Sequence, residues 1–398
     1  MAVARAVKPL SAGRSEWLPF HRPTIDADDI AAVVATLRSG WLTTGPATRR
    51  FEQAFARAIG AQHAIALSSG TAALHLALRV LGVQPGDDVV VPTYTFAATA
   101  EVVTYLGARP VLADVDPDTG NLRAEDVVRV LGPKTRAVVP VHLGGLPCEM
   151  AAIRELADGA GFAIVEDAAH AFPARIGRYD VGTLGDAAAF SFYATKTMTT
   201  GEGGMLVLRD PALVEQARVL ALHGMSRDAW RRYSAAGTWR YDILASGYKY
   251  NLTDIAAALG TSQLRKARAL HARRRVLAAR YSRGLRSLDA IETPRGRPGT
   301  EHAWHLYMIR LRPEMLRIGR DAFIDELHAR NIGTSVHFIP LHLHSYYQQV
   351  WGYRPGAFPN AEALFEDVLS LPLYPAMSDD DADDVIAAVT DVVRRHRR

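Results

Sequence analysis

The chain has 398 residues, of which 48% are hydrophobic and 22% are charged, a composition typical of a globular protein with a large buried core and two domains. Its formal net charge of +4 is small for this length, and no basic stripe is accompanied by aromatic side chains, so we expect no nucleic-acid partner. Cys148 is the single cysteine, so we expect no disulfide and no metal site. No apolar run approaches the roughly 20 residues that span a bilayer, so we expect no membrane partner. Since no secretion signal opens the chain either, we expect a cytoplasmic protein.

Between about residues 62 and 208, short β-rich runs alternate with helix-length segments, which predicts an α/β domain with a largely parallel sheet. The predicted strands are 63–67, 88–91, 109–113, 137–141, 163–165, 187–192 and 205–208. The predicted helices between them are 71–81, 96–106, 124–131 and 150–159. Polar residues cluster where the strands end, as expected when ligands bind at the carboxyl edge of the sheet.

After residue 251 the pattern changes to one long helix over about 253–285, with apolar residues at helical spacing. The remainder is typical of a smaller α+β unit, with strands near 306–311 and 335–338 and helices near 321–330, 361–368 and 379–394. We therefore expect a large domain over residues 1–262, in which the N-terminal segment has no assigned structure, and a small C-terminal domain over residues 263–398.

The segment 68–74 follows a predicted strand and opens a predicted helix. Exposed N–H groups and the positive end of a helix dipole make such a turn an anion site, and Thr71 adds a hydroxyl. The alternative is that a serine of this turn only caps the helix. A second segment, 91–99, places aromatic residues just beyond another strand end. Phe96 there can stack on a flat ligand, or it can simply pack in the core.

Asp167 and His170 lie at the end of a third predicted strand. A carboxylate and an imidazole in this position can hold a ring nitrogen and a ring oxygen of a heterocyclic ligand. In isolation the pair can equally be an aspartate that caps a turn and a structural histidine whose hydrogen bonds are satisfied.

Lys196 lies between a short apolar strand and a glycine-rich turn in the segment 190–204. A lysine at the end of an apolar strand can be desolvated, which lowers its pKa and makes its neutral amine available to attack a carbonyl. The alternative is an ordinary surface lysine. Such an amine can carry pyridoxal phosphate (PLP) as an imine. Ser191 is then placed to hold the phosphate. PLP accepts electrons only while its pyridine nitrogen is protonated, which gives Asp167 a function beneath that nitrogen.

Together these segments resemble the fold-type I PLP enzymes, and specifically the DegT/DnrJ/StrS family of sugar aminotransferases. The resemblance extends from Arg22 to Pro375, and the Lys196 segment with its glycine-rich tail is its most specific part. It implies that Lys196 is the Schiff-base lysine, that Asp167 is the pyridinium partner and that His170 donates to the ring oxygen. It also implies a set of phosphate and stacking residues, namely Ser69, Gly70, Thr71 and Ser191 for the phosphate and Phe96 for the ring. Many relatives carry glutamine at the His170 position, and both residue types can donate.

The segment 247–254 resembles the family segment that reaches into the partner subunit's active site. Asn251 would then bind the neighbour's cofactor phosphate, and the active unit would be a homodimer with shared active sites. The alternative from local sequence is that Asn251 caps the long helix.

Two segments, 302–306 and 336–338, look most like the group within the family that acts on the 4-keto carbon of a uridine-diphosphate pentose. Related enzymes for dideoxy-aminosugars share much of this pattern. His305 and His337 are candidate sugar-pocket residues, or they are structural histidines. Arg240 is a candidate for the carboxylate of the amino donor, because a guanidinium binds carboxylate in a planar bidentate fashion.

The resulting hypothesis is a transamination in which glutamate gives its amino group to a nucleotide-linked keto-sugar and leaves as 2-oxoglutarate. The favoured acceptor is a 4-keto-sugar. A 3-keto-sugar, a cyclitol ketone, glutamine as donor and a non-catalytic PLP-binding regulator remain alternatives. A sugar dehydratase on the same scaffold typically has histidine in place of the lysine, and Lys196 argues against it. A nicotinamide oxidoreductase would show a GxGxxG turn, which the segment 68–71 does not fit.

Overall fold

The structure, a computed structural model, describes residues 14–226 and 240–398. Its strands, in chain order, are β1 Ala64–Leu67, β2 Asp88–Pro92, β3 Arg109–Ala113, β4 Thr135–Val138, β5 Ala163–Asp167, β6 Arg175–Ile176, β7 Tyr179–Asp180, β8 Ala187–Ser191, β9 Gly204–Leu208, β10 Ile291–Glu292, β11 Thr300–Glu301, β12 Tyr307–Leu311 and β13 Val368–Leu371. Its α-helices are α1 Ala27–Ser39, α2 Pro46–Ile59, α3 Gly70–Val80, α4 Ala98–Tyr105, α5 Ala124–Val128, α6 Met150–Ala160, α7 Pro211–Ala221, α8 Asp254–Leu285, α9 Arg320–His328, α10 Ser345–Trp351, α11 Pro359–Asp367 and α12 Asp379–His396.

A seven-stranded sheet in the order β1-β9-β8-β5-β4-β2-β3 forms the centre of the molecule. Strands β3, β2, β4, β5 and β8 pair in parallel, whereas β9 is antiparallel to both β8 and β1. The prediction of a mostly parallel sheet in an α/β domain is therefore confirmed. The antiparallel β9 was not predicted, because the sequence pattern carries no information on strand direction.

Side chains of the central strands alternate between two apolar layers. In β1, Ile65 and Leu67 face the cluster that includes α3, α4 and α7, whereas Ala64 and Ala66 face the cluster that includes α2. Both faces of the sheet are thus covered by helices, which explains why the strands are continuous apolar runs. Because the strands are buried on both faces, their polar side chains lie mainly at the strand ends.

A second, three-stranded sheet has the order β10-β12-β13 and packs with α8, α9 and α12 around a separate core. Leu18, from the beginning of the described chain, is buried in this core. The expected boundary at residue 262 falls inside the continuous helix α8, and the division into two domains stays a prediction.

Several predicted elements differ from the structure, among them the helix over 124–131, which ends at Val128. The strand over 137–141 ends at Val138, because Pro140 has no N–H with which to continue the ladder. The predicted strand over 335–338 is wrong: Ser335 forms a single bridge to Ser370, and beyond it the carbonyl of His337 accepts the Tyr94 hydroxyl at 2.8 Å. The helix predicted from residue 96 begins at Ala98.

No helix among residues 14–226 and 240–398 is both long and apolar enough to cross a membrane.

Candidate active site

The polar segments that the sequence singled out lie at one edge of the large sheet. The turn after β1, the segment after β2, and the ends of β5 and β8 all face the same side, because the corresponding strands run in the same direction. Gly70 packs against the end of β8 so closely that an added Cβ would lie 3.0 Å from Cβ of Ser191. The structure therefore places Gly70 and Ser191 side by side.

The turn before α3 has the geometry of an anion site. Ser69 is the N-cap of α3, and its hydroxyl oxygen accepts from the N–H of Ala72 at 3.0 Å. Ser69 therefore caps the helix, and its hydroxyl proton is still able to donate to a ligand. Gly70 and Thr71 supply the first N–H groups of the helix, which have no carbonyl partner within it. A phosphate here would meet these N–H groups, the helix dipole and the Ser191 hydroxyl.

Asp167 ends β5 as a buried carboxylate with two donors. Oδ2 accepts from the Thr99 hydroxyl at 2.9 Å, and Oδ1 accepts from the Ala169 N–H at 3.2 Å. Burial raises the pKa of Asp167 above its usual value, and the two hydrogen bonds and the charge of Lys196 oppose this rise. A protonated ring nitrogen beside Asp167 would add a further opposing charge, so the carboxylate is suited to bind a cation.

Glu166, the neighbour of Asp167, points to the other face of β5 and has a structural function. Its carboxylate accepts from the N–H groups of Gly182, Leu184 and Gly185 at 2.9, 2.8 and 2.6 Å, and from Nε2 of His142 at 3.0 Å. These donors outweigh burial and hold the pKa of Glu166 below its usual value. Glu166 therefore ties the segment after β7 to the strand that carries Asp167.

His170 is buried and held in one tautomer. The N–H of Gly144 donates to its Nδ1 at 3.3 Å, so Nδ1 carries no proton and Nε2 is left as the donor. Burial, and then the charge of Lys196, lower the pKa of His170 well below its usual value. A neutral Nε2–H donor of this kind can hydrogen-bond a ring oxygen.

Lys196 follows β8 in a short turn in which its N–H donates to the carbonyl of Tyr193 at 3.0 Å. The next residue, Thr197, donates its hydroxyl to the carbonyl of Phe172 at 2.6 Å. The Lys196 side chain is half-buried, so part of it is accessible to a ligand from solvent. Desolvation lowers its pKa to about 8, although the charge of Asp167 opposes this shift. About a tenth of the amine is therefore neutral at pH 7, far more than for an ordinary lysine, and able to attack a carbonyl.

Three further histidines approach Lys196. The ring centroid of His305 lies 4.4 Å from that of His170, and its Nδ1 is buried with no hydrogen-bond partner among the described residues. Nδ1 of His337 is 2.9 Å from Oγ of Ser370. Burial, then the charge of Lys196, lower the pKa of His337 to about 4. His21, which sequence reasoning missed, is the third and comes from the beginning of the described chain.

Phe96 lies on the outer side of this group. Its side chain is 62% exposed, and its ring centroid is 6.0 Å from that of Phe338. The ring of Phe338 in turn stacks on His170 at 5.8 Å. The exposed ring face of Phe96 is free of core packing, so the core alternative for this residue is wrong.

Asn251 and Arg240 lie in the connection between α7 and α8, and the backbone of Asn251 bridges Leu67 at the end of β1. Thr253, rather than Asn251, is the N-cap of α8, so the capping alternative for Asn251 is wrong. The Asn251 amide donates to Oγ1 of Thr44 at 2.7 Å, and its oxygen accepts from Lys249. These three residues border a cavity of about 680 Å³ whose lining, within the described parts of the chain, does not include Lys196. Arg240 is exposed.

The side chains at this sheet edge fit pyridoxal phosphate by their chemistry. The close contact of Gly70 and Ser191 leaves backbone N–H groups and a hydroxyl for a phosphate. Asp167 offers a buried carboxylate for a ring nitrogen, and His170 a neutral donor for a ring oxygen. Lys196 offers a desolvated amine for an aldehyde.

Comparison with known proteins agrees with this fit. A family model described as the DegT/DnrJ/EryC1/StrS aminotransferase family matches residues 23–390. The spore coat polysaccharide biosynthesis protein SpsC of Bacillus subtilis is 46% identical over 382 residues, which are 96% of this chain and 98% of SpsC.

Two solved structures show the same architecture. The aminotransferase TlmJ from Streptoalloteichus hindustanus is 38% identical with a TM-score of 0.87, and the match covers 95% of this chain and 99% of TlmJ. Spr1654 of Streptococcus pneumoniae, assigned as a sugar aminotransferase and solved in its PLP-form, is 33% identical with a TM-score of 0.88, covering 95% of this chain and 99% of Spr1654.

Proposed function

The chain belongs to the DegT/DnrJ/EryC1/StrS aminotransferase family and is a PLP-dependent sugar aminotransferase, and we propose that it transfers the amino group of glutamate to the keto group of a nucleotide-linked 4-keto-sugar. The two products are 2-oxoglutarate and the nucleotide-linked amino-sugar. We place this reaction in the cytoplasm, since a chain with one cysteine suits a reducing compartment.

One observation carries this proposal: Asp167 ends β5, Lys196 follows the neighbouring parallel strand β8, and their charges act on each other's pKa, with the neutral donor His170 beside them. Bound PLP supplies a carbonyl that takes up an amino group and a ring that accepts electrons from the substrate carbon. Lys196 would hold the cofactor until the amino donor displaces it. Its freed Nζ would then take the proton from Cα of glutamate and deliver it to the carbon that receives the amino group. Asp167 accepts a hydrogen bond from the protonated ring nitrogen and stabilises its charge.

His170 and the phosphate residues orient the cofactor against Lys196. The Gly144 N–H fixes His170 with its proton on Nε2, which then donates to the ring oxygen. Ser69, Gly70, Thr71 and Ser191 are proposed to hold the phosphate. Because these groups stand on the ends of buried strands and one helix, they need little reorganisation when the reaction begins.

The sugar is proposed to bind between Phe96, His305 and His337. His305 has a buried Nδ1 without a hydrogen-bond partner among the described residues, and a sugar hydroxyl is a suitable donor for it. His337 is tied to Ser370 through Nδ1, which leaves Nε2 for a ligand. The relative SpsC, named for spore coat polysaccharide biosynthesis, supports a substrate from polysaccharide metabolism.

The active unit is proposed to be a homodimer in which Asn251 binds the phosphate in the partner's site. Asn251 borders a cavity whose lining, among the described residues, does not include Lys196 of its own chain. Its amide nitrogen donates one N–H to Thr44, and the second N–H can be donated to a ligand of a second copy. Arg240, exposed on the same connection, is proposed to bind the carboxylate of glutamate.

The experiment is a two-step absorbance assay on the purified protein. The protein with bound PLP should be yellow, lose its colour when glutamate is added, and regain it with a nucleotide-linked 4-keto-sugar. A panel of 3-keto-sugars, 4-keto-sugars and cyclitol ketones then identifies the acceptor. Colour loss with glutamate and no recovery with any nucleotide-linked sugar would overturn the proposed acceptor. A yellow protein that does not respond to any amino donor would instead indicate a PLP-binding regulator.

A further inference from the structure

A segment at the beginning of the described chain, residues 14–24, crosses the small sheet unit and ends beside the lysine turn. We call it the N-terminal strap. At its first residue, Arg14 forms salt bridges with Asp381 and Asp384 of 2.6 and 2.9 Å. Leu18 donates to the carbonyl of Asn331 at 2.9 Å and accepts from the N–H of Gly333 at 2.8 Å. The strap is therefore fixed to the small unit over most of its length.

The far end of the N-terminal strap contacts the active site. The ring centroid of Phe20 lies 5.5 Å from that of His337. Nε2 of His21 is 3.1 Å from the carbonyl oxygen of Ala194, two residues before Lys196. A carbonyl only accepts, so Nε2 of His21 must carry the proton and donate.

We propose that His21 is a positioning residue for Lys196: its hydrogen bond to Ala194 fixes the lysine turn, and the N-terminal strap thereby links the small unit to the reactive amine. The same turn is held from within by two hydrogen bonds, from the Lys196 N–H to Tyr193 and from the Thr199 hydroxyl to Phe192. The Thr197 hydroxyl ties it to the carbonyl of Phe172. His21 adds a contact from a segment that is anchored on the small unit. This inference rests on the proposed role of Lys196 and adds a residue to it.

The reason His21 matters to Lys196 is desolvation. Lys196 is half-buried, and the groups that face it are Asp167 and the neutral histidines His170, His305 and His337, together with His21 itself. Burial, then the charges of Arg274 and Lys196, lower the pKa of His21 to about 4, so it is uncharged at neutral pH. A turn released from His21 lets water reach the amine, and a better-solvated amine holds its proton more tightly.

The test compares two substitutions of similar size and polarity. In His21→Gln the amide nitrogen can reach the position of Nε2 and donate to Ala194, whereas in His21→Asn the amide is one bond too short. Full-length protein freed of cofactor is labelled with trace acetic anhydride from about pH 6 to about pH 11, and the modification of Lys196 is read by peptide mass spectrometry. His344→Asn, at an exposed histidine, is the control.

In the wild-type protein and in His21→Gln, labelling of Lys196 should be half-maximal near pH 8. In His21→Asn the midpoint should move up by about one pH unit, which is a tenfold loss of neutral amine at neutral pH. Circular dichroism confirms that each variant is folded. An unchanged midpoint in His21→Asn, or an equal shift in both variants, would overturn the proposal.

The labelling result is separable from the proposed function. If the cofactor were attached to another lysine, or the acceptor were no sugar, the proposed function would fail, yet the Lys196 midpoint would still report whether His21 fixes the turn. The second measurement determines kcat and KM separately in the active enzyme. His21→Asn should lower kcat and leave the KM for glutamate within about twofold of the wild-type value.

Discussion

The hydroxyl of Thr99 donates a hydrogen bond of 2.9 Å to Oδ2 of Asp167. Thr99 is itself buried at the beginning of α4, where its oxygen is 2.9 Å from that of Thr95. Since burial raises the pKa of Asp167, this donor helps to keep the carboxylate ionised. The negative charge of Asp167, which is proposed to hold the ring nitrogen, therefore depends on Thr99, a residue of the connection between β2 and β3.

Thr99→Val removes the hydroxyl and keeps the shape of the side chain. We expect PLP to bind about 10 to 100 times more weakly, because a hydrogen bond to a charged group contributes about 1.5–3 kcal/mol. Spectrophotometric titration of the cofactor-free protein with PLP measures the effect, and Thr99→Ser, which keeps the hydroxyl, should stay within about threefold of wild type. Equal affinities for the valine and serine variants would show that Thr99 does not support Asp167.

His170→Gln should retain activity within about tenfold, because a glutamine amide can replace the Nε2–H donor. His170→Leu has no donor and should lose activity by a further factor of about 10 or more. Steady-state kinetics with glutamate compare the two variants. If leucine serves as well as glutamine, the donor function of His170 is wrong and its packing against Phe338 is what matters.

Lys196→Met should abolish transamination and also stabilise the cofactor-free protein. The desolvation that lowers the pKa of Lys196 to about 8 disfavours its charged form in the folded state. Replacement by an apolar side chain of similar length should therefore raise the free energy of unfolding by about 1–3 kcal/mol at neutral pH, consistent with about 1.4 kcal/mol for each unit of pKa shift.

The pH dependence of this difference has a definite sign. The unfolded lysine binds its proton up to about pH 10, whereas the folded one releases it from about pH 8, so wild-type stability rises with pH between these values. The methionine variant does not gain stability with pH in this way. Its higher free energy of unfolding relative to wild type should therefore shrink as the pH rises. Urea unfolding at neutral pH and near pH 10 measures both proteins. A difference that is independent of pH would contradict a desolvated Lys196.

The architecture of the large domain could be predicted from the sequence, because strands buried on both faces read as apolar runs between amphipathic helices. Lys196 and Asp167 could be placed on one sheet edge for the same reason. The positions of β1 and β9 at one side of the sheet, and the antiparallel direction of β9, could not be predicted. Neither strand order nor strand direction leaves a local pattern in the sequence.

The residues that support the site were missed for a physical reason. Thr99, Gly144 and His21 are 68, 26 and 173 positions away from the residues they bind, namely Asp167, His170 and Ala194. Each acts through a single tertiary hydrogen bond, which imposes no spacing on the sequence. The strand predicted at 335–338 failed similarly, because the contacts of His337 with Tyr94 and Ser370 replace the ladder that its apolar pattern predicted.

The shared active site predicts complementation between two inactive variants. Lys196→Ala and Asn251→Ala each should lose most activity alone. In a mixed dimer one of the two sites contains both intact residues, so refolding the variants together in equal amounts should restore about a quarter of wild-type activity when chains pair at random. A mixture that remains as inactive as its components would contradict a contribution of Asn251 to the partner's site.

The most direct measurement of the central claim is borohydride reduction of the PLP-loaded protein followed by peptide mapping. The account predicts that a single peptide gains the mass of the reduced cofactor and that the modified side chain is Lys196. A cofactor fixed to any other lysine, or a Lys196 peptide that remains unmodified while the protein is yellow, would contradict it.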